Sequence, residues 1–225
     1  MASTVLLADD LQTELDKRKS DFTKTASEEK ITEYNKGIEL VEKSGVLESA
    51  LNVGDTAPDF TLKNATGEEV TLSKLLEDGP VILTWYRGSW CPYCNITLNH
   101  YQQNLDKFKE AGAQLVALTP ELPDKSLSAT EKHGLEYEVL TDLNNQVADK
   151  FGIVFKMSDW VEDAMRSFAN LPSYNGESYD DSTLPLSATY IIQPDRKITY
   201  AFLDAEYRNR ATVEQILEGL KASKK

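Results

Sequence analysis

The chain's two cysteines, Cys91 and Cys94, stand three positions apart in the run Thr84-Trp85-Tyr86-Arg87-Gly88-Ser89-Trp90-Cys91-Pro92-Tyr93-Cys94. Two thiols at that spacing can cycle between dithiol and disulfide, so thiol redox chemistry is the first reading. The run from Pro80 to Tyr86 has the apolar character of a buried strand, a short polar bend follows, and a helical pattern opens after it. A cysteine delivered to a helix N-terminus meets unpaired N–H groups and the positive end of the macrodipole, both of which favour a thiolate. Its pKa falls from about 8.5 into the range of roughly 3.5–7.5, which supplies a nucleophile at neutral pH. Pro92 suits the first helical turn. Its ring is expected to hold the Cys91 sulfur off the helix, at the exposed end.

A structural zinc would need four ligands, and only Cys91, Cys94, His100 and His133 offer sulfur or imidazole. His100 is spaced to turn away from the cysteines and His133 is remote in sequence, so neither a metal nor a cofactor is expected. The 225 residues fit one ample domain, or a domain with an extension. A hydrophobic fraction of 40% and a charged fraction of 27% describe an ordinary soluble protein. The net charge of -13 argues against nucleic acid and anionic membrane surfaces as partners. No apolar run is long enough to span a bilayer. The start, Met1 to Asp10, has no basic segment and turns acidic early, which points to a cytoplasmic protein. There a close cysteine pair is more often catalytic than structural.

The elements that must position the pair follow from periodicity. Residues 1–51 read as a helical extension: Leu7, Leu11 and Leu15 form one face, and Thr25-Ala26-Ser27-Glu28 matches a capping box ahead of Ile31, Tyr34, Ile38 and Val41, with Gly45 as the stop. These faces either pack on the domain or form a homodimer contact. A hairpin around Asn64-Ala65-Thr66-Gly67 and a brief helix capped by Ser73 precede the buried strand. Cys94, Leu98, Tyr101, Leu105 and Phe108 then line one face of a helix ending near Gly112, and Gln114 to Thr119 is a second buried strand. Strand, crossover helix and strand at this distance form a parallel βαβ unit. A polar helix over Glu121 to Lys132, a strand at Tyr137 to Asp142 and a short helix through Val147 and Phe151 come next. Residues Lys156 to Thr183 read as an insertion, a helix followed by a polar loop. Leu184 to Ile192 is a third buried strand, Ile198 to Leu203 its antiparallel partner, and Thr212 caps a closing helix. The expected fold is α/β and thioredoxin-like: a central mixed sheet flanked by helices over residues 52–225, with the N-terminal helical extension before it.

Gly54-Asp55-Thr56-Ala57-Pro58-Asp59-Phe60-Thr61-Leu62 resembles the opening signature of peroxiredoxins of the alkyl hydroperoxide reductase/thiol-specific antioxidant family. Trp85 to Asn95 resembles the peroxiredoxin-like branch with a thioredoxin-style pair. Val139 to Asp142, Phe151-Gly152-Ile153 and Ala188 to Asp195 are similar to later family blocks. The resemblance implies antioxidant reduction of hydroperoxides through a reversible Cys91–Cys94 disulfide, with thioredoxin, glutaredoxin or glutathione as reductant. Laid over the family's Pro-x-x-x-Thr-x-x-Cys loop, Cys94 takes the place of the peroxide-attacking cysteine, Cys91 that of the Thr and Arg87 that of the Pro. Ser187 stands where peroxiredoxins carry an arginine and thioredoxins a cis-proline. Arg87 is therefore the candidate cation for thiolate or peroxide, Trp90 and Tyr93 would flank the pair, and Ser187 completes the substrate-contact set. The thioredoxin overlay instead makes Cys91 the exposed attacker and Cys94 the resolver, and Cys-Pro-Tyr-Cys also matches the glutaredoxin active site. Dipole and exposure favour Cys91; peroxiredoxin position favours Cys94. A thiol–disulfide oxidoreductase without peroxidase activity and a non-catalytic thioredoxin-fold interaction module are the other readings.

Overall fold

The computed structural model describes residues 10–223. Helix α1, Asp10–Thr25, and helix α2, Glu28–Glu42, lead into a single turn, α3, Val46–Ser49. Leu11 and Leu15 of the expected stripe are fully buried in the cluster that holds both cysteines, so α1 packs on its own chain. Leu7 lies outside the described residues. The cap of α2 is Ser27, whose hydroxyl accepts from the Lys30 N–H at 3.2 Å, in place of the Thr25–Glu28 box. Thr25 instead donates back to the Asp21 carbonyl within α1, at 3.0 Å. Two neighbouring hydroxyl residues competed for one helix start, and backbone geometry chose the later one.

The hairpin is β1, Thr61–Asn64, and β2, Glu69–Thr71, followed by α4, Leu72–Leu75. Thr71, and not Ser73, is the N-cap residue of α4. Next come β3, Val81–Trp85, and α5, Pro92–Gln103. The expected long helix breaks at Asn104 into α5 and α6, Leu105–Glu110, while its apolar face stays continuous in the core. Strand β4 is Gln114–Thr119, α7 Pro123–His133, β5 Glu138–Thr141 and α8 Gln146–Lys150. Strand β6, Val154–Lys156, leads into the insertion, which carries α9, Asp159–Phe168, and α10, Leu171–Asn175. The single strand expected over 184–192 is two: β7, Thr183–Pro185, pairs with β6, and β8, Thr189–Ile192, pairs with β3. Strand β9, Ile198–Phe202, and helix α11, Val213–Ala222, close the chain. Thr212 and Gln215 form a full capping box on α11.

The seven-stranded sheet runs β2-β1-β5-β4-β3-β8-β9. Strands β3, β4 and β5 are parallel, and the edges join antiparallel. Both faces are covered, which is why β3 reads as an unbroken apolar run. Alternation sends Val81, Leu83 and Trp85 into the core on one face, and Ile82 and Tyr86 into the core on the other. The second of these cores contains Cys91 and Cys94. The βαβ unit therefore aims the strand-to-helix bend at the C-terminal end of the parallel strands, where ligands bind open α/β sheets. No helix among the described residues is long and apolar enough to cross a membrane.

Candidate active site

The bend is anchored at each step. Tyr86 N–H donates to Leu118 O at 3.0 Å, continuing the β3–β4 ladder past the strand's end. Ser89 N–H and Oγ both donate to Glu121 Oε1, at 2.9 and 2.7 Å, and Asn95 Nδ2 donates to Ser89 O at 2.8 Å. Glu121 is fully buried, and that burial pushes its carboxyl up despite the two Ser89 donors. Gly88 has φ +155, and a Cβ there would collide with the Trp90 indole. Gly88→Ala is expected to cost about 1–3 kcal/mol and to displace Trp90. Thermal denaturation together with Trp fluorescence checks this, and an unchanged midpoint would contradict it.

Cys91 is the N-cap of α5 itself. Its sulfur accepts from Cys94 N–H at 3.4 Å and from Arg87 Nη2 at 3.2 Å, so a sulfur stands where Ser or Asp usually caps. Cys94 Sγ receives Arg210 Nη2 at 3.5 Å, and the two thiols hydrogen-bond to each other. Both are free thiols, 0% and 1% exposed. The expectation of an exposed Cys91 sulfur is therefore corrected. The bend lies under Tyr207 and under helices from the N-terminal extension and the insertion, none of which a local reading of the motif includes.

The sulfurs are dry but not isolated, because two buried guanidinium groups face them. Burial opposes ionisation of Cys94, yet the hydrogen bond from Cys91 and the charges of Arg210 and Arg87 hold it well below the ordinary thiol range. Burial pushes Cys91 up, and the neighbouring thiolate adds to that. Of the two sulfurs, Cys94 therefore gives up its proton first. Arg87 is itself 8% exposed; its guanidinium stacks 4.3 Å from the Tyr207 ring centre and 5.4 Å from that of Trp90. Tyr93 meets Tyr207 edge to face at 5.7 Å.

A cavity of about 440 Å³ opens onto this bend, with Arg87, Trp90, Cys91, Pro92, Tyr93 and Tyr207 among its walls. Cys91 lines it and Cys94 does not. Of the expected site residues, Cys91, Cys94, Arg87, Trp90 and Tyr93 come together. Ser187 is buried just before β8, its hydroxyl without a partner, and it is not part of the cavity wall. No cluster of His, Cys, Asp and Glu suited to a metal occurs among the described residues.

A sequence profile described as the AhpC/TSA family matches residues 53–201, about two thirds of the chain. The chain belongs to the AhpC/TSA family. Peroxiredoxin Bcp of Escherichia coli K12 is 28% identical over 163 residues, which cover 72% of this chain and 92% of that protein. Chloroplastic peroxiredoxin Q of Populus jackii is 29% identical over 103 residues, 46% of this chain and 48% of that protein. Among solved structures, peroxidoxin BcpB of Mycobacterium tuberculosis superposes with a TM-score of 0.60 over 76% of this chain and 97% of its own, at 24% identity. PrxQ of Xylella fastidiosa gives 0.62 over 79% and 99%, at 16% identity. These two share the fold.

Within this AhpC/TSA chain, the residues that sequence reasoning missed lie near or beyond the edge of the family match. Arg210 and Tyr207 come from the loop between β9 and α11. Arg210 is held in place by donating to the carbonyls of Tyr207 and Asn209, while Arg208 clamps Glu206 at 2.6 Å. Guanidinium groups from two places, 87 and 210, contact the sulfurs, while Ser187 brings no charge there. The only sequence signal was the density of arginine in Arg208-Asn209-Arg210, which could not say that one of them turns inward.

Proposed function

We propose that this protein is a peroxiredoxin-like thiol peroxidase in which residues 52–225 form the catalytic domain and Cys91 attacks the peroxide. The observation that carries the reading is the burial of both sulfurs beneath a cavity that only Cys91 lines. The cavity gives a small hydroperoxide a way toward Cys91, whereas sulfurs buried in the reduced form offer no open face to the disulfide of a folded protein, which disfavours the thiol–disulfide oxidoreductase reading. The guanidinium groups aimed at the sulfurs weigh against a non-catalytic module.

In the reaction, the Cys94 thiolate takes the Cys91 thiol proton across their hydrogen bond as the Cys91 sulfur attacks the terminal peroxide oxygen. The O–O bond breaks, Cys91 becomes a sulfenic acid, and the departing alkoxide leaves as the alcohol with that proton. Arg87 stabilises the charge passing from sulfur to oxygen. The Cys94 thiolate then attacks the Cys91 sulfur; a disulfide forms, and with one solvent proton the hydroxyl leaves as water. Disulfide formation draws the Cys91 sulfur off the Cys94 N–H that it caps, which opens the first turn of α5, and in that opened form an external thiol system, thioredoxin, glutaredoxin or glutathione, returns the dithiol by exchange. The test is peroxide-dependent oxidation of a supplied dithiol, compared with reduction of insulin disulfides. Turnover with peroxide and none with insulin is expected, and the reverse would overturn the reading.

A further inference from the structure

The cavity over Cys91 has one wall that lies outside the family match and one that lies within it. Helices α1 and α2 supply one side, and α9 of the insertion closes the other. An edge-to-face chain from Phe22 through Tyr34 to Trp160, with ring centres 5.7 and 5.4 Å apart, ties the three together. Gly37 allows the closest approach of α2 to α9, since a Cβ there would lie 2.8 Å from Val161 Cγ2. The lining is largely apolar, and Phe168, 67% exposed, extends it to the surface. At about 440 Å³ the space far exceeds what hydrogen peroxide needs and falls in the range of cavities that hold small organic ligands.

Its charge is the second observation. The chain carries 37 acidic and 24 basic residues, yet among the described residues the cavity is lined by three cations, Arg18, Lys30 and Arg87, and by no carboxylate. Arg87 serves Cys91. Arg18 on α1 and Lys30 on α2 have no carboxylate at ion-pairing distance among the described residues; they lie 6.0 Å from the Tyr93 ring centre and 5.9 Å from that of Phe22. An apolar chamber with two free cations, ending at a nucleophilic sulfur, matches one kind of molecule.

We infer that α1, α2 and α9 form a binding site for an amphipathic organic hydroperoxide bearing a carboxylate, its apolar body in the chamber and its carboxylate on Arg18 and Lys30. This rests on the peroxidase reading for the chemistry and not for the binding: the hydroperoxy group is reduced at Cys91 as described, and the product is the corresponding hydroxy acid.

The test separates the two. Calorimetric binding of dodecanoate, which carries no peroxide, reports on the site whether or not the protein turns over. Dodecanoate is expected to bind the full chain, its methyl ester at least about tenfold more weakly, and the Arg18→Gln/Lys30→Gln variant to lose about tenfold to a hundredfold in affinity for the acid. Arg18→Lys, which keeps the charge, retains most of the binding and serves if the double variant does not fold. In turnover, a fatty-acid hydroperoxide should have a lower KM than its methyl ester, and the double variant should bring that ratio toward one. Equal binding of acid and ester, or a variant that binds dodecanoate as the parent does, would overturn the inference and leave the peroxidase reading standing. Dodecanoate binding without peroxide turnover would do the opposite.

Discussion

Cys91→Ser is expected to abolish peroxide turnover, a loss on the order of a thousandfold or more, because it removes the sulfur at the cavity wall. Cys94→Ser behaves differently. It still forms a sulfenic acid at Cys91 in a single turnover, more slowly because the thiolate that takes the Cys91 proton is gone. It cannot close the disulfide, so steady turnover depends on an external thiol attacking the sulfenic acid directly. Mass spectrometry after trapping with dimedone locates the oxidised sulfur in each variant. A dimedone adduct on Cys94 of the Cys91→Ser protein, formed at the parent's rate, would exchange the two roles.

Replacing Arg87 by Met should give the second large effect. The guanidinium lies 3.2 Å from Cys91 Sγ and is also among the charges that favour ionisation of Cys94. Hydrogen bonds to charged groups contribute about 1.5–3 kcal/mol, which corresponds to a rate loss of about tenfold to a hundredfold. The sign of the pH effect follows from the same contact. The guanidinium favours thiolate, so its removal raises the pKa of the pair and moves the rising limb of the pH–rate profile to higher pH. Stability should change little or improve. Arg87 is buried, its Nε has no partner, and a Met of similar length would keep the packing on Tyr207 without the desolvation cost. Arg87→Lys should recover only part of the rate, since an ammonium cannot keep both the stack and the sulfur contact. A melting point lowered in step with activity would mean that Arg87 is structural and that its sulfur contact is incidental.

The parts of the site that were legible in the sequence are those fixed by local chemistry. Pro92 after Cys91, an apolar run before the bend and a helical stripe after it specify strand, turn and helix within about twenty residues, and β3, β4 and α5 form where expected. Caps and breaks were harder, for physical reasons that differ from case to case. Ser27 and Thr25 both had the right side chain, and a break at Asn104 needs neither Pro nor Gly. The segment from Leu184 to Ile192 is mostly apolar, yet Leu186 N–H bonds to Ile153 O and Trp85 N–H to Ala188 O, so the chain changes sheets midway. Apolar periodicity does not show a change of partner. The burial of Cys91 and the role of Arg210 were illegible for a related reason. They depend on contacts between segments more than a hundred residues apart, such as Arg210 with Cys94 or Gly37 with Val161, and in each pair one partner, Arg210 or Gly37, lies outside the family match.

The placement of Cys91 at the N-cap has one more consequence. In the proposed reaction a single atom is both the reagent and the clasp that fastens the start of α5, so chemistry and architecture draw on the same lone pairs. Each time that sulfur takes up oxygen or bonds to its neighbour, the Cys94 amide loses its best acceptor, and each reduction restores it. The oxidation state of the protein is thereby written into the first turn of a helix, where a reducing partner can read it as shape.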